Sequence, residues 1–376
     1  MKKIIKFFQN HLLVSVIIVA LVFGLAGGIA GTLIARSYLI DSSYNFSSGK
    51  YTDQGIVISN PKNVIVQQDV KIDETVKAVA GSLVGIYKKQ QPAKSGEAFV
   101  LENFYKLSEP SGQGFIISSD GWIITGLELE KVYADYVVIT ADKKIYAITR
   151  AQSDNLTGFN FIQVAAKDLP VRKFAENQEV KRGSSAVNVN WLGASWISSV
   201  RGFSGKSGLV KSSDSASKKL VLNEKLPAEF SSAMVFNLAG DALGLVDSSG
   251  EVEPMSRFKG VIKNLFQGKI AQRASLGVNY LDLSQLVAVS EQNNLGQKGA
   301  LVYQDQKGVA VLKNSPAEAS GLRQGDIIIS VDNTEINQDN DLADIIQGYA
   351  PGDKIILTFL RAGEEKDAEI VLGEQK

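Results

Sequence analysis

GVAVLKNSPAEASGLRQGDIIISVDNTEI, residues 308–336, contains a short apolar strand, a helical stretch beginning at Ser-Pro-Ala, and a strand-turn-strand series after Gly-Asp. A second helical stretch, DNDLADIIQGY, follows at residues 339–349, and PGDKIILTFLRAGEEKDAEIVL (351–372) reads as a closing hairpin. Strands that alternate with short helical stretches indicate a separate α+β domain. We therefore predict such a domain over residues 275–376.

The preceding segment, residues 76–250, is rich in short runs with strand character. Examples are GQGFIISSDGWIIT (112–125), YVVITADKKIYAITRAQ (136–152) and ALGLVDSSG (242–250). Several short strands separated by turns are typical of an all-β sandwich or barrel. The segment is therefore predicted to form a β domain.

A connecting helix is predicted between these domains, over residues 251–274. The apolar residues recur there at helical spacing; they are Phe258, Val261, Ile262 and Leu265.

The amino terminus has the pattern of a membrane anchor. Three lysines precede residues 12–35, which are apolar or small, and Arg36 closes the run. A spanning helix needs about 20 apolar residues, whereas a cleavable signal has a shorter apolar core. We predict a cytoplasmic segment at 1–10, a single-pass signal anchor at 11–36 and a polar stalk at 37–75, with the bulk of the chain outside the cytoplasm.

Composition excludes several classes of function. Among 376 residues, Lys plus Arg and Asp plus Glu number 40 each, so net charge gives no case for nucleic-acid binding. Cysteine is absent and His11 is the single histidine, at the start of the apolar run. Since thiolate and imidazole are the usual zinc ligands and no EF-hand spacing is present, we expect no metal and no other cofactor.

The C-terminal domain resembles a PDZ domain of the HtrA family, because the order of the motifs in residues 308–336 is that of the family. Such a domain binds an extended peptide by strand addition and holds its terminal carboxylate on backbone N–H groups. The resemblance assigns the carboxylate loop to Ser275–Val278. The peptide-binding residues that it implies are Leu276, Gly277 and Val278 on the loop and Leu342, Ile345 and Ile346 on the later helix.

The β domain resembles the HtrA/DegS protease domain, which is a trypsin-like double β-barrel. GQGFIISSDGWIIT is similar to the strand pair before the catalytic histidine, ITADKKIYAITRAQSDNLTGFNFIQV (139–164) to the stretch with the catalytic aspartate, and EFSSAMVFNLAGDALGLV (229–246) to the stretch with the nucleophile. The fold class implied for the whole chain is mainly β, with an N-terminal transmembrane helix, the double barrel and a C-terminal α+β PDZ domain.

The catalytic triad is degenerate in this register. Glu128 occupies the histidine position and Gly158 the aspartate position, so that Ser231 is the single match. Serine hydrolysis needs an imidazole to take the proton of the nucleophile and a carboxylate to orient that imidazole. The family's Gly-Asn-Ser-Gly-Gly turn is here Glu229-Phe230-Ser231-Ser232-Ala233, which crowds the oxyanion turn and adds negative charge to it.

Three functions remain open at this stage. The leading hypothesis is a catalytically inactive, membrane-anchored protein of the bacterial envelope that binds C-terminal peptides or unfolded proteins as a sensor or adaptor. The family assembles as trimers, so the chain is expected to form a homotrimer or to join an active relative. One alternative is a serine endopeptidase with a rearranged site, in which Glu128 or a lysine such as Lys219 or Lys225 replaces the imidazole. The other is a scaffold whose PDZ groove is closed.

Overall fold

A computed structural model describes residues 16, 20–28, 68–92, 100–205, 208–215, 218–287 and 298–375. The chain divides into two compact units, Met1–Val64 and Ile65–Lys376, and both predicted domains lie in the second unit. Residues 68–75, which the sequence assigned to the stalk, form the start of helix α1 (Gln68–Val79).

Little of the predicted membrane anchor lies among the described residues. Residues 20–28 are helical and exposed. Across the described ranges, no helix is both long enough and apolar enough to cross a bilayer. Most of residues 11–36 lie outside the part of the chain that the structure describes, so the anchor stays a prediction.

Six antiparallel strands close the first barrel, in the order β1-β2-β3-β6-β5-β4. Their bounds are β1 (Leu83–Lys88), β2 (Gly112–Ile116), β3 (Trp122–Thr125), β4 (Tyr136–Thr140), β5 (Ile145–Ser153) and β6 (Asn160–Val164). Apolar side chains such as Ile86, Ile123 and Ile162 fill the barrel interior.

The second barrel closes in the order β10-β13-β12-β11-β7-β8. Its strands are β7 (Ser185–Val189), β8 (Ser195–Ser204), β10 (Lys219–Leu222), β11 (Met234–Phe236), β12 (Ala242–Val246) and β13 (Val252–Pro254). The short strand β9 (Val210–Ser212), between β8 and β10, takes no part in this barrel.

An apolar core joins the two barrels. Phe115 of the first barrel lies edge-on to Phe236 of the second, with 5.9 Å between ring centroids. Helix α2 (Lys259–Phe266) buries its apolar face in the same core through Val261 and Leu265. Burial of apolar surface is worth about 25 cal/mol per Å², so this core holds the barrels and α2 together.

The C-terminal domain contains a seven-stranded sheet with the main path β20-β19-β17-β16-β15-β9. Its own elements are β15 (Asn279–Asp282), β16 (Ala300–Val302), α3 (Pro316–Ala319), β17 (Ile327–Val331), β18 (Thr334–Glu335), α4 (Leu342–Gln347), β19 (Lys354–Arg361) and β20 (Glu364–Val371). A separate pair, β14 (Ala274–Ser275) with β21 (Gly373–Glu374), lies beside it. The outermost strand, β9, comes from the preceding β domain, which has protease-like sequence motifs.

Candidate functional site

The Ser231 turn connects β10 to β11 at the junction of the barrels. Ser231 ends a short 3-10 helix, Ala228–Phe230, and its N–H donates to the carbonyl of Ala228 at 3.0 Å. The buried Phe230 ring fixes this turn in the core of the second barrel. Ser232 follows with φ of 62°, a left-handed conformation that is uncommon for a residue with a side chain.

Hydrogen bonds tie this turn to the first barrel. The side-chain amide of Gln113 donates to the carbonyl of Ser231 at 2.7 Å and accepts from the N–H of Trp191 at 2.6 Å. The N–H of Gly126, directly after β3, donates to the hydroxyl of Ser232 at 3.0 Å. The turn therefore lies against the end of β3, where a catalytic cleft would be expected.

The structure brings Glu128 and Gly158 to the same end of one strand pair. Thr125, the last residue of β3, pairs with Asn160, the first residue of β6. Glu128 lies three residues beyond β3 and is exposed. Gly158 lies two residues before β6, is also exposed and has φ of 76°. Both therefore lie at the edge where the family's triad is expected, but neither is the histidine or the aspartate of that triad.

Of the two lysines considered as substitute bases, Lys219 does not provide a neutral amine. Lys225 is exposed. Lys219 contacts Asp247 at 2.6 Å and Glu251 at 2.7 Å. Although partial burial opposes the charge, these hydrogen bonds raise the pKa of Lys219, so its amine stays protonated. A protonated lysine cannot accept the serine proton.

The groove of the C-terminal domain is formed by the Ser275–Val278 loop, β15 and α4, and β9 occupies it. β9 pairs antiparallel with β15, in the register Ser212 opposite Asn279 and Lys211 opposite Tyr280. The backbone pairing continues from Ser213, whose N–H donates to the carbonyl of Val278 at 2.9 Å.

Asp214 lies in the loop assigned to a ligand carboxylate. Its Oδ1 accepts hydrogen bonds from the N–H groups of Leu276 at 2.9 Å and Gly277 at 3.1 Å. The hydroxyl of Ser275 donates to Oδ2 at 2.6 Å. The predicted loop therefore binds a carboxylate, and that carboxylate belongs to a side chain of the same polypeptide.

The other predicted groove residues are mostly core residues. Leu276 and Val278 are fully buried, and so are Leu342 and Ile346 on α4, whereas Ile345 is half-buried. Through their backbone groups, Leu276, Gly277 and Val278 contact the segment that contains β9. Sequence reasoning missed Asp214 and Lys211, since SGLVKSSD (207–214) carries neither a long β run nor a motif.

Comparisons with known proteins agree with this architecture. The PDZ domain family matches residues 275–372. The "Probable periplasmic serine endoprotease DegP-like" of Hahella chejuensis is 26% identical over 278 residues, which is 71% of this chain and 58% of that protein. The chain is HtrA/DegS-like, with a C-terminal PDZ domain. It spans little more than half the length of this relative.

Further similarities extend over both HtrA-type domains. The relative of the same description from Bartonella henselae is 26% identical over 305 residues, which is 72% of this chain and 58% of that protein. The solved structure "HtrA-type protease AlgW with tripeptide" superposes with a TM-score of 0.51 at 19% identity, over 81% of this chain and 97% of that one. At this identity the superposition shows a shared fold.

Proposed function

We propose that this HtrA-type chain is catalytically inactive and binds carboxyl-terminal peptides through its PDZ domain, as a sensor or adaptor of the bacterial envelope. The observation that carries the proposal is the carboxylate held by the backbone N–H groups of Leu276 and Gly277. A pair of N–H groups beside a strand edge is the arrangement with which PDZ domains capture the end of a peptide.

Inactivity is supported by the Ser231 turn. The positions of the general base and of its orienting carboxylate hold Glu128 and Gly158, and His11 is the single imidazole of the sequence. The N–H of Ser231, which should face a developing oxyanion, instead donates to Ala228. Removal of one oxyanion donor costs about 10²–10³ in kcat in serine proteases, in addition to the loss of the base.

The names of the relatives and the sequence pattern support the proposed location, and the family resemblance supports the proposed assembly. The relatives described above are named periplasmic, which supports an extracytoplasmic position for the two domains. We propose that residues 11–36 anchor the chain in the cytoplasmic membrane with residues 1–10 inside. Its partners would be C-terminal peptides or unfolded envelope proteins, and it would act as a homotrimer or together with an active relative.

Catalysis is tested with the purified full chain and fluorescent casein. We expect no cleavage above background, and the same result for Ser231→Ala and for the neighbouring control Ser232→Ala. Labelling of Ser231 by a fluorophosphonate, or turnover that Ser231→Ala abolishes, would establish the alternative of a serine endopeptidase with a rearranged site.

A further inference from the structure

We propose that residues Val210–Asp214 are an internal ligand of the PDZ groove, and that the external ligand which displaces them is a carboxyl-terminal peptide with Lys or Arg two residues before its last residue. The proposal rests on the peptide binding proposed above and specifies both its regulation and the chemistry of the partner.

The side chain of Asp214 takes the position of the terminal carboxylate of a peptide. Four donors surround the side chain of Asp214, namely two loop N–H groups and the hydroxyls of Ser275 and Ser213. The third loop N–H, from Val278, donates to the hydroxyl of Ser213 at 3.1 Å. The side-chain amide of Gln375 donates to the main-chain carbonyl of Asp214 at 2.8 Å. The oxygens of Ser213 and Asp214 thus satisfy the loop donors that the carboxylate at the end of a peptide would satisfy.

The register of this segment corresponds to that of a bound peptide. Ser213 is buried, and its N–H donates to Val278 within the loop. It therefore takes the place of the last residue of a bound peptide, directly before the carboxylate. Residues Val210–Ser212 then continue along β15 as an added antiparallel strand.

One position of this strand carries a positive charge. Lys211, two residues before Ser213, places its ammonium 3.0 Å from Asp282 of β15 and in contact with Asp341, the N-cap residue of α4. The hydroxyl of Tyr280 also donates to Asp341. The carboxylates of Asp282 and Asp341 are mostly buried, so an uncharged or acidic residue at this position would remove the cation that contacts both of them. A displacing peptide therefore requires Lys or Arg there.

Displacement is a competition, because the same N–H groups cannot bind two carboxylates. A segment in the same chain acts at an effective concentration in the millimolar range for a short flexible linker. The apparent Kd of an external peptide is its intrinsic Kd divided by the fraction of open groove. A variant that releases the segment should consequently bind peptide more tightly than the wild type.

The test uses the full chain in detergent micelles and a fluorescein-labelled peptide, GLVKSS, which copies residues 208–213 and ends in a free carboxylate. Fluorescence anisotropy should give a Kd at least tenfold lower for Asp214→Ala than for the wild type. For that variant, the amidated peptide and the peptide GLVESS should each bind at least tenfold more weakly than GLVKSS. Ser215→Ala, which changes the adjacent exposed residue, is the matched control and should equal the wild type.

Equal affinities of the wild type and Asp214→Ala would overturn the internal ligand and leave peptide binding intact. Equal affinities for GLVKSS and GLVESS would overturn the requirement for a cation. If no variant binds the peptide, peptide binding fails. Hydrogen exchange at the amide of Tyr280, which lies opposite Lys211, then decides the internal ligand alone: faster exchange in Asp214→Ala supports it, and unchanged exchange overturns it.

Discussion

At the scale of single residues, the backbone conformation of the Ser231 turn and of Gly158 limits how far side-chain substitutions can restore catalysis. The N–H of Ser231 is used inside its own turn, by the carbonyl of Ala228. At Gly158 the space for a side chain is open, but φ of 76° is left-handed. A non-glycine residue in that region costs about 1–2 kcal/mol. A working triad would therefore require changes in the backbone of this site as well as in its side chains.

The double change Glu128→His and Gly158→Asp should not produce a protease. It supplies the two missing residue types, but the new aspartate starts from a strained backbone and Ser231 still lacks a free oxyanion N–H. We expect casein cleavage to stay at background, and Glu128→His alone serves as the control. Robust cleavage by the double variant that is lost on adding Ser231→Ala would contradict this interpretation of the turn.

Asp344 on α4 should make stability depend on pH. Burial raises the pKa of this carboxyl to about 6, although Lys218 at 3.5 Å opposes the shift and Asp341 adds to it. Because the folded pKa lies above the unfolded value, the proton stabilises the folded state. That contribution is present below about pH 4 and is lost as pH rises through 6.

Asp344→Asn should therefore be more stable than the wild type at pH 7.5, by up to about 2 kcal/mol. The loss of the Lys218 contact reduces this gain. The difference in free energy of unfolding should shrink as pH falls from 7 to 4, as measured by urea denaturation at several pH values. A difference that does not change with pH would show that Asp344 does not titrate in this window.

At the scale of elements, the loop that holds the carboxylate depends on Gly277. This residue has φ of 85°, and a Cβ there would lie 2.3 Å from the Cβ of Ser315, the N-cap residue of α3. Substitution must therefore strain the backbone and also displace the start of a helix. A substitution at Gly277 therefore affects both the loop and the start of α3.

Gly277→Ala should destabilise the PDZ domain by about 2–4 kcal/mol, the sum of a left-handed penalty and a packing clash. Gly308→Ala is the matched control, since Gly308 has φ of 77° and a Cβ added there would meet nothing within 4 Å. It should cost only about 1–2 kcal/mol. Chemical denaturation compares the two variants, and equal losses would show that the contact with Ser315 relaxes freely.

Local sequence signals predict most elements of the two domains but do not predict β9. The PDZ strands and helices follow from local signals such as Ser315-Pro316, where Ser315 does cap the helix. The β runs of the protease-like domain form two barrels for the same reason, since alternation and turns are local properties. β9 has three residues, and its pairing with β15 depends on a partner that lies about 70 residues away in the chain. No local pattern specifies such a contact, so the occupied groove required the structure.

At the scale of the whole molecule, a buried ion pair connects the first barrel to the start of the PDZ domain. The guanidinium of Arg273, directly before β14, binds both carboxylate oxygens of Asp154, at 2.8 and 2.5 Å. The same guanidinium donates to the carbonyl of Arg257 and to the amide oxygen of Gln347 on α4. Although burial raises it, the hydrogen bonds from Arg273 hold the pKa of Asp154 below its ordinary value. One side chain thus contacts the first barrel, the segment before α2 and the groove helix.

Arg273→Met should destabilise the chain by about 3–5 kcal/mol, because it leaves the carboxylate of Asp154 buried without a counter-charge. In Asp154→Asn with Arg273→Met that charge is also removed, so the double variant should lose less stability than the sum of the losses in the two single variants.

Lys263→Met is the matched control: Lys263 on α2 pairs with Asp353 of the PDZ domain at 2.7 Å, but its side chain is 48% exposed. An exposed pair contributes at most about 1 kcal/mol, so this variant should stay close to the wild type. Urea denaturation of the four variants gives the coupling energy. Additive losses at Asp154 and Arg273 would mean that the pair does not couple the barrel to the PDZ domain.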